Sequence, residues 1–241
     1  YTKVKGEVFS EVATLPLFER LLEYGTSFWV SKILTKSQRH KFRQSCMSFY
    51  RDKTIERVEL FYKNCSRRDG TESINGKSMP NLGTLLERLD WDWLAEGLPS
   101  RFHGDFHFEN ILWNKSDNQF VFLDWRQDFG GDLSIGDIYY DFAKLLHGLI
   151  INHELITDHF YNVEWKSGEI SYDFHRKQVL VECENHFGKW LEISGYDRKK
   201  VWVLTALIYL NIAALHHHPY SQLLFALGKS MLDKELINEI N

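Results

Sequence analysis

The chain has 241 residues, of which 44% are apolar and 26% charged; that composition belongs to an ordinary globular protein able to bury one large core or two small ones. A net charge of −4 argues against general nucleic-acid binding, and three dispersed cysteines (Cys46, Cys65, Cys183) exclude a zinc ribbon or disulfide framework and favour a reducing, cytoplasmic compartment. No signal peptide is visible, and the longest apolar run, Val201 to Leu215, contains Thr205 and Asn211 and is too short to span a bilayer.

In chain order, Tyr1 to Gly6 reads as a short strand, and because the chain opens on Tyr1 rather than Met a longer polypeptide is expected. A helix follows in which Leu17, Leu21 and Leu22 share a face. Gln38 to Cys65 reads as one or two basic helices, with Val58, Phe61, Tyr62 and Cys65 at helical spacing. Ser31 to Gly70 holds eleven Lys or Arg against four Asp or Glu, a net +7 that leaves −11 for the rest; a solvated helix face explains this better than an anion-binding surface. Ser66 to Asn81, with Gly70, Gly76 and Pro80, is expected to be a polar loop.

Leu82, Leu85, Leu86 and Leu89 then form a helical stripe. Ile111 to Trp113 and Gln119 to Leu123 are predicted strands of a hairpin turned by the polar pentad Asn114 to Asn118. Helices follow at Ile138, Phe142, Leu145 and Leu149, and at Leu180, Cys183, Phe187 and Leu191, the latter closed by Gly195. Asp197 is placed to cap a central helix that is apolar nearly all round, and Leu224, Leu227 and Met231 mark a last one. The expected fold class is α+β, predominantly helical, with one small hairpin.

Chemistry concentrates in FHGDFHFENILW, Phe102 to Trp113, and FVFLDWRQDFGGD, Phe120 to Asp132. Asp105 precedes Asn110 by five positions, and Asp124 ends an apolar strand fourteen positions later. This is the order of the phosphoryl-transfer template, in which an Asp accepts the proton of the attacking hydroxyl while an Asn and a second Asp hold Mg²⁺ against nucleotide phosphates. Mg²⁺ is a hard cation that takes oxygen ligands, so Asn and Asp suit it where His or Cys would not. A base of this kind must be a carboxylate ionised at neutral pH and within hydrogen-bond reach of the acceptor. A hairpin between Asn110 and Asp124 would return the second ligand to the first. Taken alone, His103, Asp105, His107 and Asp124 could also be ligands of a transition metal in a hydrolase, but that leaves Asn110 without a role. His216, His217 and His218 lie near a predicted helix end before Pro219, where histidines favour the dipole.

HGDFHFEN followed by FVFLDW resembles the catalytic and metal-binding motifs of the aminoglycoside phosphotransferase and choline kinase-like family, which has the protein-kinase-like fold. Gly131 to Leu145, GDLSIGDIYYDFAKL, resembles the family's segment in which an Asp before a helix braces the catalytic loop. The resemblance implies Asp105 as base, Asn110 and Asp124 as the Mg²⁺ and ATP-binding residues, and His103 as a loop-bracing histidine. His107 falls on a second loop histidine with a supporting or acceptor-side role. Asp137 takes the bracing role, with Asp141 the second choice. Glu109 stands where the family usually has a small residue and Arg126 where it has an acidic one, both toward the acceptor.

The implied layout is a hinge-like strand at 1–6 and a carboxy-terminal kinase-like lobe at 7–241. That lobe comprises a helical lead-in at 7–100, the catalytic loop and hairpin at 101–132, and a helical remainder at 133–241. An amino-terminal nucleotide lobe with its glycine-rich loop is not recognisable, since the first thirty residues contain only Gly6 and Gly25; an upstream domain of the same polypeptide would supply it. The implied activity is ATP- and Mg²⁺-dependent phosphorylation of a hydroxyl on a small polar metabolite such as a sugar, an amino alcohol or an aminoglycoside-like acceptor, with no nucleic-acid partner and no membrane span. The alternative is a noncatalytic kinase-like binding module.

Overall fold

The computed structural model describes residues 5–126, 128–132 and 135–237. Most of the expected hinge strand, Tyr1 to Val4, lies outside the described residues. In chain order the strands are β1 (Glu7–Val8), β2 (Glu72–Ile74), β3 (Lys77–Met79), β4 (Pro99–Ser100), β5 (Ile111–Asn114), β6 (Gln119–Phe122), β7 (Gly136–Asp137), β8 (Tyr161–Lys166) and β9 (Glu169–Phe174). The helices are α1 (Phe9–Val12), α2 (Leu15–Phe28), α3 (Lys36–Met47), α4 (Lys53–Asn64), α5 (Leu82–Arg88), α6 (Trp91–Ala95), α7 (Ile138–Ile150), α8 (His153–Thr157), α9 (Gln178–Ile193), α10 (Arg198–Ala213) and α11 (Tyr220–Ile237). A π-helical turn, Ser48–Asp52, joins α3 to α4, so the expected one or two basic helices are two. The chain forms two compact units.

The first unit gathers Tyr1–Ser45, Gly97–His153 and Arg176–Arg198. Its sheet has the order β1-β5-β6, all antiparallel, and β5 and β6 are the predicted hairpin. Helix α2 starts where the Thr14 hydroxyl accepts the Leu17 N–H, and it buries Phe18, Leu21, Leu22 and Phe28. Helices α2 and α7 pack on α9 through rings: Phe18 lies 6.3 Å from Phe187, and Phe142 lies 6.0 Å from Phe187 and 5.6 Å from Trp190. Edge-on aromatic pairs of this kind fix orientation as well as burying area. Gly195 ends α9 at φ +77°, with the Tyr196 N–H reaching the Leu191 carbonyl at 2.8 Å, as its place in the sequence leads one to expect.

The second unit gathers Cys46–Glu96, Glu154–His175 and Lys199–Asn241. It contains a four-stranded sheet, β3-β2-β9-β8, in which β2 and β9 run parallel. One small hairpin was expected in the whole chain, so this sheet is a correction. The Ser66–Asn81 stretch read as a loop contains β2 and β3, reversed at Asn75-Gly76, where both residues have positive φ. Asn-Gly is the strongest short hairpin signal. The polar flanking residues hid it, because only Glu72, Ile74 and Met79 of these strands are buried. Phe61, Phe225 and Trp165 stack in this unit's core, with Phe61 and Phe225 centroids 4.5 Å apart. Helix α10 is buried from Lys200 through Leu210, the central helix that its composition predicts.

Two buried lysines of this unit have oxygen partners. Lys229, wholly buried, pairs with the Glu72 carboxylate and donates to the Gly70 carbonyl. Lys200 donates to the Trp93 and Glu96 carbonyls, both at 2.7 Å.

Candidate active site

The site lies within the first unit. The Arg101 N–H donates to Val30, and β4 pairs with β7, so the segment entering the loop is held on both sides. His103 is buried, and its Nδ1 accepts the Asp105 N–H at 3.2 Å. Burial pushes the His103 ring down to about 4, so it is neutral with its proton on Nε2. It is a positioning group that sets the backbone of the residue two places on.

Asp141 holds the loop. One carboxylate oxygen accepts the His103 N–H at 2.7 Å and the Trp29 indole N–H at 3.0 Å; the other accepts the Gly104 N–H at 2.7 Å. Burial pushes the Asp141 carboxyl up to about 7, against these three donors, which favour the ionised form. Asp137, the first choice for this role, does another job: it caps α7 by accepting the Tyr139 N–H and also takes the Leu98 N–H at 2.9 Å. The four-residue offset is one helical turn, and the carboxylate inside α7 is the one that accepts the His103 and Gly104 N–H groups.

Two glycines make room for this arrangement. A Cβ on Gly25 would stand 2.4 Å from the Trp29 ring, so glycine there lets the indole fold back to reach Asp141. Gly104 has φ +83°, and a Cβ there would stand 2.4 Å from Arg126 Cβ. The stem of Arg126 lies over Gly104 while its Nε donates to the Asp128 carbonyl at 3.1 Å.

The Asp105 side chain is 37% exposed. Its Oδ1 is 2.7 Å from the Lys144 ammonium, and its Oδ2 is 3.4 Å from His107 Nε2 and 3.2 Å from Asn110 Nδ2. Burial alone would raise the Asp105 carboxyl, but His107 and Lys144 outweigh it and hold the group well below the usual carboxylate range. His107 Nδ1 in turn meets the Glu109 carboxylate at 2.8 Å. Burial works against charging this ring, yet the two carboxylates raise it to about 9, leaving it cationic at neutral pH. Lys144, Asp105, His107 and Glu109 are thus a chain of alternating charge.

Asn110 turns Nδ2 to Asp105, which leaves its amide oxygen for a cation. The hairpin does what its sequence position suggests: the Leu123 N–H donates to the Asn110 carbonyl at 2.8 Å, so Asp124 follows directly beside Asn110. The Arg126 N–H donates to the His103 carbonyl at 2.9 Å, bringing this segment against the loop. Asp124 is exposed, has φ +51°, and its negative charge acts on the His103 ring. A carboxylate and an amide oxygen are the donor chemistry that suits Mg²⁺, which takes one or two protein oxygens and completes its shell with phosphates and water.

The hydrolase reading fits less well. Among the described residues no three His, Cys, Asp or Glu are grouped to hold a metal. His103 Nδ1 already accepts an N–H, and both ring nitrogens of His107 face carboxylates.

Sequence reasoning missed Lys144 and Trp29. Lys144 carried a signal, since it stands three residues after Asp141 on a helix whose apolar stripe is Ile138, Phe142, Leu145 and Leu149. Two opposite charges at that spacing on an otherwise apolar helix share a face. Trp29 carried none, because a tryptophan ending an apolar helix reads as core.

Residues 40–175 of the chain match the phosphotransferase enzyme family, APH. The chain belongs to that family. Searches of curated proteins and of solved structures return no match. In this phosphotransferase the matched stretch contains Asp105, Asn110, Asp124 and the bracing helix α7. No helix among the described residues is long and apolar enough to cross a membrane.

Proposed function

We propose that the protein is an ATP- and Mg²⁺-dependent phosphotransferase acting on a hydroxyl of a small polar metabolite, through a kinase-like catalytic loop. The observation that carries this reading is Asp105. It is a half-exposed carboxylate, ionised by its neighbours, on a loop whose backbone is locked by Asp141.

In this reading Asp105 accepts a hydrogen bond from the acceptor hydroxyl and takes its proton as the oxygen attacks phosphorus. The new bond is acceptor oxygen to γ-phosphorus; the bond that breaks is γ-phosphorus to the bridging oxygen, whose electron pair leaves with ADP. A carboxylate of such low basicity suits a loose transition state, where the proton moves late and the base mainly orients the hydroxyl. Oxygens of Asn110 and Asp124 would hold Mg²⁺, which would supply positive charge to the phosphates. His107 and Glu109 keep Asp105 oriented, and Arg126 stands on the acceptor side.

The test is transfer of the γ-phosphoryl group from ATP, with Mg²⁺, to a panel of sugars, amino alcohols and aminoglycosides, followed by ADP release. Asp105→Asn is expected to lower turnover by about 10²- to 10⁴-fold while leaving the circular dichroism spectrum unchanged. Turnover equal to wild type would remove Asp105 from the role of base.

A further inference from the structure

The resting site has a feature that base and metal ligands leave unexplained. Each oxygen of Asp105 already has a partner: Oδ1 has Lys144, and Oδ2 has His107 and Asn110. Each carboxylate oxygen accepts two hydrogen bonds; Oδ2 has both donors, so an arriving hydroxyl presents its proton at Oδ1, where it shares the oxygen with Lys144 or replaces it. His107 is tethered at its other nitrogen by Glu109, and Asn110 also donates to the Asp105 backbone carbonyl at 3.0 Å. Lys144 is different. Its side chain is 13% exposed, and Asp105 is its one hydrogen-bonding partner among the described residues. An ammonium has three donors on a flexible four-carbon stem, so this one keeps two unused beside the base.

Its origin is equally specific. Lys144 rises from α7 three residues after Asp141, on the same face and within one turn. The helix that fixes the loop therefore also fixes where the ammonium stands.

We propose that Lys144 is a catalytic residue that contacts the transferring phosphoryl group: it rests on Asp105 Oδ1 and turns to the phosphoryl oxygens when the acceptor hydroxyl takes its place. The inference rests on the phosphotransferase reading above and adds a residue to it. The reach is favourable. The attacking oxygen sits about 3 Å from the base and the phosphorus about 3 Å beyond that, so a lysine displaced from Oδ1 needs only rotamer changes to meet a phosphoryl oxygen. The charge balance is favourable too. When Asp105 takes the hydroxyl proton it becomes neutral, which frees the lysine's charge as negative charge moves toward the leaving oxygen. A compact ammonium is the group that serves phosphate as a point charge.

The test separates ground-state nucleotide binding from binding of a transferring-group mimic, using calorimetry on the full chain with Mg–ADP, alone and with aluminium fluoride. Lys144→Met is expected to keep ADP affinity and to lose affinity for ADP–fluoroaluminate by about 10- to 100-fold; Lys144→Arg should retain most of it. Because removing the lysine also exposes the mimic to the Asp105 charge, the deciding comparison is made with that charge absent. Asp105→Asn should bind the mimic as well as wild type or better, and the double variant Asp105→Asn/Lys144→Met should again be weaker than Asp105→Asn alone. Equal binding by those two would overturn the inference, leaving Lys144 as a partner of Asp105 only. Equal loss of ADP and of the mimic in Lys144→Met and in the polar, uncharged Lys144→Gln would overturn it as well. If the wild-type chain binds no Mg–ADP, the phosphotransferase reading itself fails, a result recognisable before any variant is made.

Discussion

Each unit contains a lysine–carboxylate pair whose lysine comes from a helix, Lys229–Glu72 and Lys144–Asp105, and the two pairs are built differently. In the second unit Lys229 and Glu72 are 0% and 4% exposed, and the ammonium also donates to the Gly70 carbonyl. In the first, Lys144 and Asp105 are 13% and 37% exposed, and the lysine keeps donors in hand. A sealed pair recovers its desolvation only through complete partnering and so belongs to the fold. A half-open pair with unused donors is poised for something that arrives. The contrast is sharper than a count of charges would suggest, because both pairs join a helical lysine to a residue distant in sequence.

The largest effect is expected at Asp141, which holds the loop of Asp105 to the helix of Lys144. Asp141→Ala should remove the partner of three buried N–H groups and destabilise the protein by about 3–5 kcal/mol, measured by urea unfolding. Phosphoryl transfer should also fall at temperatures where the variant is still folded. A variant with wild-type turnover would mean that the loop does not need this brace.

Next comes the crossed pair. Glu72→Ala should cost about 3 kcal/mol or more by leaving Lys229 buried and unpaired, whereas Asp105→Ala should cost less, about 1–2 kcal/mol, because Asp105 is 37% exposed, His107 keeps Glu109, and Lys144 retains some access to water. Replacing Glu72 and Lys229 together by methionine should restore most of the loss. Similar costs for the two single variants would erase the distinction between a structural pair and a site pair.

A smaller effect follows from His107. Its folded pKa of about 9 lies above the ordinary 6.5, so its contribution to stability is full below pH 6.5 and is lost as pH rises through about 9. Asp105 and Glu109 are both partly exposed and solvent screens the pairing, so the amount is about 1 kcal/mol. Melting temperatures from pH 6 to 10 should show this loss, and His107→Gln should flatten it.

The legible part of the molecule was the part where residue type and local geometry coincide. The hairpin that returns the Asp124 segment to Asn110 was readable because the polar turn pentad Asn114 to Asn118 separates two short apolar runs. Asp141 was harder to choose over Asp137, because a carboxylate at the start of a helix also makes an ordinary cap, and Asp137 does so. Lys144 stayed hidden since its partner is thirty-nine residues upstream and periodicity reports faces rather than contacts. The sheet of the second unit was missed for another reason. In β8 and β9 the alternation of buried and exposed residues is regular, but a reading set on helices passes over strands of six residues.

One backbone angle carries a lesson about selection. Asp124 sits at φ +51°, a conformation that glycine adopts freely and other residues less readily. A chain chosen only for staying folded would replace it. Asp124→Gly should accordingly hold or raise the melting temperature, by up to about 1 kcal/mol of stability, while Mg²⁺-dependent nucleotide binding disappears. Thermostability screens blind to activity would then enrich a substitution that empties the site, and position 124 would read as a fault to be repaired.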